Sequence, residues 1–72
     1  MKIRTVDGDY HVDWYGKYDD FASARSWCEI QFGDNWGYAY LGQLDRHFGS
    51  LNMFVFKRLY HAQWFVLKWD AA

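Results

Sequence analysis

Residues 2–14, KIRTVDGDYHVDW, hold two short β-prone runs on either side of Asp7-Gly8, a dipeptide that favours a two-residue type I′ hairpin turn. Such a loop sets Val6 opposite Asp9 and fixes the register. Ile3 then opposes Val12 and Thr5 opposes Tyr10 on one face, while Lys2 opposes Asp13 and Arg4 opposes His11 on the other. The first face is expected to pack inward and the second to meet water. Near Asp19 or Asp20, either of which can cap free backbone N–H groups, the pattern becomes helical. It runs to about Phe32, with Gly33 placed to end the helix in the left-handed conformation. At about 100° per residue, Phe21, Ala24, Cys28 and Phe32 fall within roughly 80° of arc and form the core stripe. Trp27 and Ile30 lie off that stripe, toward Ser23, where a simple surface helix carries charges.

Residues 35–42, NWGYAYLG, alternate Trp36, Tyr38 and Tyr40 with Gly37, Ala39 and Leu41, which predicts a strand with one aromatic and one small-residue face. The polar stretch 43–50 reads as a loop, and LNMFVF at 51–56 as another strand. Residues 57–69, KRLYHAQWFVLKW, end in a β-prone run that would suit a returning strand. Yet no Gly, Pro, Asn or Asp lies between Met53 and Trp69 to make the turn, and Leu59, Ala62, Phe65, Val66 and Trp69 group on one helical side. A helix is the better reading, with a polar arc of Lys57, His61 and Lys68 from which Trp64 projects. The order is β-β-α-β-β-α: an α+β fold with a small antiparallel sheet, both helices on one of its faces and the other face partly solvated.

A length of 72 residues allows one domain, residues 1–72, and one core. Five Trp, six Tyr and six Phe are more ring area than so small an interior holds. Some rings are therefore expected at the surface, where Trp and Tyr concentrate in binding sites. The net charge of −1 makes no electrostatic case for nucleic acid or an anionic membrane. No apolar run approaches the ~20 residues that span a bilayer. The lone Cys28 has no partner for an internal disulfide and the N-terminus lacks an apolar signal core, so a reducing, cytoplasmic setting is expected.

Candidate chemistry is sparse. Cys28 lies on the apolar stripe, where a thiol behaves as a small inert hydrophobe rather than a nucleophile. His11, His47 and His61 fall in three different segments without zinc-site spacing. Asp7-Gly-Asp9 followed by Asp13 lacks the twelfth-position Glu of a calcium loop, and no phosphate-binding glycine motif is present. No catalytic, cofactor-binding or metal-ligating residue is assigned, and no cofactor is expected. Trp36, Tyr38, Tyr40, Phe54 and Phe56 beside Lys57 and Arg58 could instead form a base-stacking sheet face, although core packing explains the same rings.

The C-terminal third, Phe54-x-Phe56 followed by Ala62, Phe65, Leu67 and Trp69, forms an F-x-F strand leading into an A-x-x-F-x-L-x-W helix. With the upstream S-A-R-S-W-C-E helix ending in F-G-D-N-W, it resembles small uncharacterised accessory proteins of tailed bacteriophages, T4-like ones especially, over about residues 21–69. The resemblance implies a phage origin and a similar fold, and it carries no catalytic residues. Lys57 and Arg58 stand where those relatives tend to be acidic, which bears on whether a partner is shared.

The leading expectation is a non-enzymatic protein-binding module, a phage-encoded inhibitor or modulator of a host complex such as a CRISPR effector or RNA polymerase in the infected cell's cytoplasm. Its contact would centre on Trp27, Ile30 and Trp64, with Asp19, Asp20, Lys57 and Lys68 as rim charges. The alternatives are a virion or self-assembling subunit using the same apolar surface as a homo-oligomer, and a single-stranded nucleic-acid binder.

Overall fold

The computed structural model describes residues 1–16, 18–43 and 50–70, and for residues 15, 16, 18, 19, 40, 42, 43 and 50 the backbone alone. Its elements are β1 (Ile3–Val6), β2 (Asp9–Gly16), α1 (Tyr18–Phe32), β3 (Trp36–Gln43), β4 (Ser50–Phe56) and α2 (Leu59–Trp69). The order is the expected β-β-α-β-β-α. Asp7 and Gly8 both take positive φ, 51° and 85°, as a type I′ turn requires. The hairpin register is the expected one, from Ile3 opposite Val12 to Val6 opposite Asp9.

The sheet runs β1-β2-β4-β3, every neighbouring pair antiparallel. Strand β4 thus lies between β2 and β3, which point the same way, and α1 is the crossover linking them. Val12 and Trp14 from β2 and Phe54 and Phe56 from β4 face both helices. They enclose, with Phe21, Ala24, Cys28 and Phe32 of α1 and Ala62 and Phe65 of α2, a single buried core. Trp36 and Tyr38 alternate with Gly37 and Ala39, so β3 has the expected aromatic and small-residue faces. The face away from the helices presents Arg4, His11, Asp13, Met53, Val55 and Ala39, and Arg4 donates to Asp13 across it at 2.8 Å. That diagonal pair replaces the expected opposition of Lys2 and Asp13, because β1 begins only at Ile3.

Several boundaries move. α1 starts at Tyr18, so Asp19 and Asp20 lie within its first turn instead of capping it, where acidic residues favour the positive end of the helix dipole. β3 and β4 run to Gln43 and from Ser50, so the expected loop 43–50 gives up both its end residues to the strands, and residues 44–49 lie outside the described residues. Residues 57–69 contain the expected helix, but Lys57 and Arg58 precede it, and Arg58 takes the N-cap place with extended backbone. The helix is also rotated relative to expectation. His61, placed on a polar arc, is buried, and Leu59, placed on the core side, is 44% exposed. Its C-terminus is held by the Asp70 N–H donating to the Val66 carbonyl at 2.9 Å, and the Asp70 carboxylate accepts from the Met1 amino group at 2.6 Å.

Gly33 ends α1 at φ 60°, with its N–H donating to the Glu29 carbonyl at 3.1 Å. A Cβ at Gly33 or at Gly37 would meet nothing within 4 Å, so the two glycines differ in backbone conformation and not in room. Denaturant unfolding of Gly33→Ala is predicted to show a loss of about 1 kcal/mol from the left-handed conformation, while Gly37→Ala, at ordinary φ, loses much less.

Candidate functional site

In a two-layer fold the second helix normally buries one stripe and shows water a polar face. α2 departs from this. Its inner side carries Ala62 and Phe65, with Val66 and Trp69 partly buried against the core. Its outer side carries Tyr60, Trp64 and Leu67, spaced i, i+4, i+7, and they are 58%, 47% and 73% exposed. Ile30 of α1 is 80% exposed. Large apolar groups therefore stand outside the core on both helices.

Trp27 and Trp64 tie the two helices together. Trp64 meets Trp27 edge-to-face at 5.7 Å and Phe32 at 5.6 Å. Trp27 also contacts Phe32 at 5.4 Å and Phe65 and Trp69 at 6.3 Å each. Trp27 is thus half-buried mortar between the helices. The expectation that it stands outside as an anchor is corrected: it lies on the flank of α1 that meets α2. Trp64 shares one side with that seam and turns the rest outward. Ile30, one turn beyond Trp27, occupies the surface position expected of it. Tyr60 and Leu67 were not among the expected contact residues, although their spacing from Trp64 is legible once the helix is set.

Phe32 packs on His61, and Trp27 on Trp69, so the helices run antiparallel. Asp20 and Lys68, both exposed, consequently lie at the same end of the layer. Lys68 holds its ammonium 5.6 Å from the Trp69 ring. Lys57 is exposed at the opposite end, on the link from β4 into α2. Asp19 is placed in the first turn of α1, and its side chain lies outside the described residues. The expected rim is therefore split between the two ends of the helical layer.

His61 stacks on Phe32 at 4.3 Å and meets Tyr60 edge-on at 4.4 Å, and its Nδ1 is buried without a hydrogen-bond partner among the described residues. Burial first, and the Arg58 charge second, hold its pKa below the usual histidine value. Cys28 is fully buried, and burial pushes its thiol up to about 12, so it is protonated at neutral pH and a poor nucleophile. Among the described residues no three His, Cys, Asp or Glu side chains cluster as metal ligands, and no helix is long and apolar enough to cross a membrane. His47 lies outside the described residues. The base-stacking face considered from the sequence does not form, because Phe54 and Phe56 are fully buried beneath the helices.

Two outcomes follow. In the native protein Cys28 is expected to resist iodoacetamide at pH 8 and to react fully once unfolded in urea, as mass spectrometry can record. His61 binds its proton less readily folded than unfolded, so its contribution is fully present above the unfolded value, near 6.5, and is lost as pH falls toward the lower folded value. Unfolding free energies at pH 7.5 and 5.5 should show that decline, and His61→Phe should reduce it.

Comparison of the chain with protein-family models, curated proteins and solved structures returned no match.

Proposed function

We propose that the chain is a non-enzymatic protein-binding module whose contact is the outer face of the helical layer: Tyr60, Trp64 and Leu67 of α2, with Ile30 of α1. The observation that supports it is that α2 is apolar on the side turned away from the core as well as on the side turned toward it. Large exposed apolar groups cost little as isolated positions, but grouped on one helix they are what protein interfaces use as anchors. Trp64 is the natural centre. Its ring is fixed on one side by Trp27 and Phe32, so little side-chain freedom is lost on binding, and its free side remains for a partner's pocket. Asp20, Lys68 and Lys57 at the ends of the layer act on encounter rate more than on affinity.

The kind of partner follows from the resemblance to tailed-phage accessory proteins: a protein complex of the infected host, a CRISPR effector or RNA polymerase, which the module occludes or redirects in the cytoplasm. Binding without catalysis also fits the chemistry on view, in which the one thiol is buried and protonated.

The test is capture from lysate of a bacterial host by the immobilised chain, compared across variants shown by circular dichroism to be folded. Leu67→Glu is the cleanest, since that side chain is 73% exposed and lies outside the core. It and Trp64→Ala are expected to weaken retention of the captured species by at least about 1 kcal/mol each, roughly fivefold or more in Kd. Equal retention by both folded variants would contradict the assignment of this surface.

A further inference from the structure

The two edges of the sheet are built differently. β1 is four residues long and carries Arg4, with Lys2 just before it, the short and cationic form by which natural edges discourage pairing. β3 is eight residues long, WGYAYLGQ, without a charge or a proline. Its pairing with β4 is regular from Trp36 to Tyr40 before the irregularity at Tyr40/Gly42. Alternate residues of that stretch direct backbone N–H and C=O groups away from β4 and outward from the sheet.

Beside this edge, between β3 and α1, lies a cleft of about 380 Å³ lined by Ala22, Arg25, Ser26, Glu29, Trp36 and Tyr38. The Arg25 guanidinium stacks over Tyr38 at 4.1 Å, yet its Nε is buried without a hydrogen-bond partner among the described residues. Glu29, one helical turn on, is exposed, and the salt bridges of the described residues do not include it. The cleft thus offers an arginine and a glutamate four residues apart on one helix, next to an uncharged strand edge.

We infer that β3 pairs antiparallel with β3 of a second copy of this chain, making a two-fold dimer with one continuous sheet, in which Arg25 of each copy meets Glu29 of the other. The occupant is a second copy because the edge is self-complementary. A two-fold axis exchanges the arginine and glutamate positions, so both ion pairs form at once, and an uncharged strand meets its own copy without like-charge repulsion. The surface is separate from the outer face of α2 and leaves Trp64 free. It differs in place from the symmetric use of the apolar helical surface considered from the sequence.

Sedimentation equilibrium of the purified chain between 5 and about 200 µM tests this. The wild type is expected to be a dimer over the upper part of that range. Glu29→Arg, at an exposed position, and Leu41→Lys, which puts on the edge the residue that protects natural ones, are each expected to raise the dimer dissociation constant at least about tenfold. Arg25→Glu combined with Glu29→Arg should restore it to within a few-fold of wild type, while Leu67→Glu should leave it unchanged. A wild-type monomer at the highest concentration would overturn the inference, as would a dimer indifferent to Glu29→Arg and Leu41→Lys. Those two variants decide the matter alone if the doubly reversed chain does not fold.

Discussion

The contact between Phe65 and Phe54, with ring centroids 4.6 Å apart, joins the second helix to the inner strand β4, and the rest of the packing is arranged around it. Phe65 also meets Phe56 at 5.3 Å, Trp14 at 6.1 Å and Trp27 at 6.3 Å, so one side chain touches strands β2 and β4 and helix α1. Phe21 and Phe32 repeat the pattern from α1, meeting Phe54 at 5.5 Å and Phe56 at 5.6 Å. These are mostly edge-to-face or tilted contacts, the arrangements aromatic quadrupoles favour. A chain this short has few residues with which to cover a four-stranded sheet, and large rings on two helices close that face with a small number of side chains. The same solution has a cost. The indole N–H groups of Trp14 and Trp69 are buried without a hydrogen-bond partner among the described residues, as the polar atoms of so many large rings cannot all reach one.

That constraint also divides the rings into those inside and those outside. The interior is one residue deep on each side of the Phe65–Phe54 contact. Once Phe21, Phe32, Phe54, Phe56, Phe65 and Trp14 fill it, Trp27, Trp36 and Trp69 seal its margins and Tyr60 and Trp64 remain beyond. The binding surface on α2 and the small core beneath it are therefore products of the same composition. The edge of β3 is an independent feature, since its lack of charge owes nothing to the packing of the helices. A dimer joined there would show two helical faces at once, and a partner with two matching sites would be held more tightly than one face allows.

Much of this was legible in the chain because its local signals agree with one another. Asp7-Gly8 set the hairpin register, the stripe of Phe21, Ala24, Cys28 and Phe32 set the inner face of α1, and the missing turn residue between Met53 and Trp69 made α2 a helix. What was not legible depended on contacts between elements. His61 looks polar on a helical wheel, and its burial comes from packing against another element, the ring of Phe32 at 4.3 Å. Trp27 looks exposed on the wheel of α1 alone, and becomes half-buried because α2 packs against that flank. Tyr60 and Leu67 lie across α2 from Ala62 and Phe65 and stay outside beside Trp64, so the candidate surface takes in two residues that the isolated pattern did not single out. The order of strands, with β4 inserted between β2 and β3, likewise rests on long-range pairing that no local run encodes.

On this packing the outer face of α2 is surplus to the fold. Urea titration of the double variant Tyr60→Ser, Leu67→Ser beside Phe65→Ala compares the unfolding free energies that decide it. The outer pair is expected to lose no more than about 1 kcal/mol, whereas the inner phenylalanine loses about 3 kcal/mol or more, enough to unfold much of a domain this small. Comparable losses from both would mean that the outer side chains hold the fold together, and would leave the proposed binding surface without its basis.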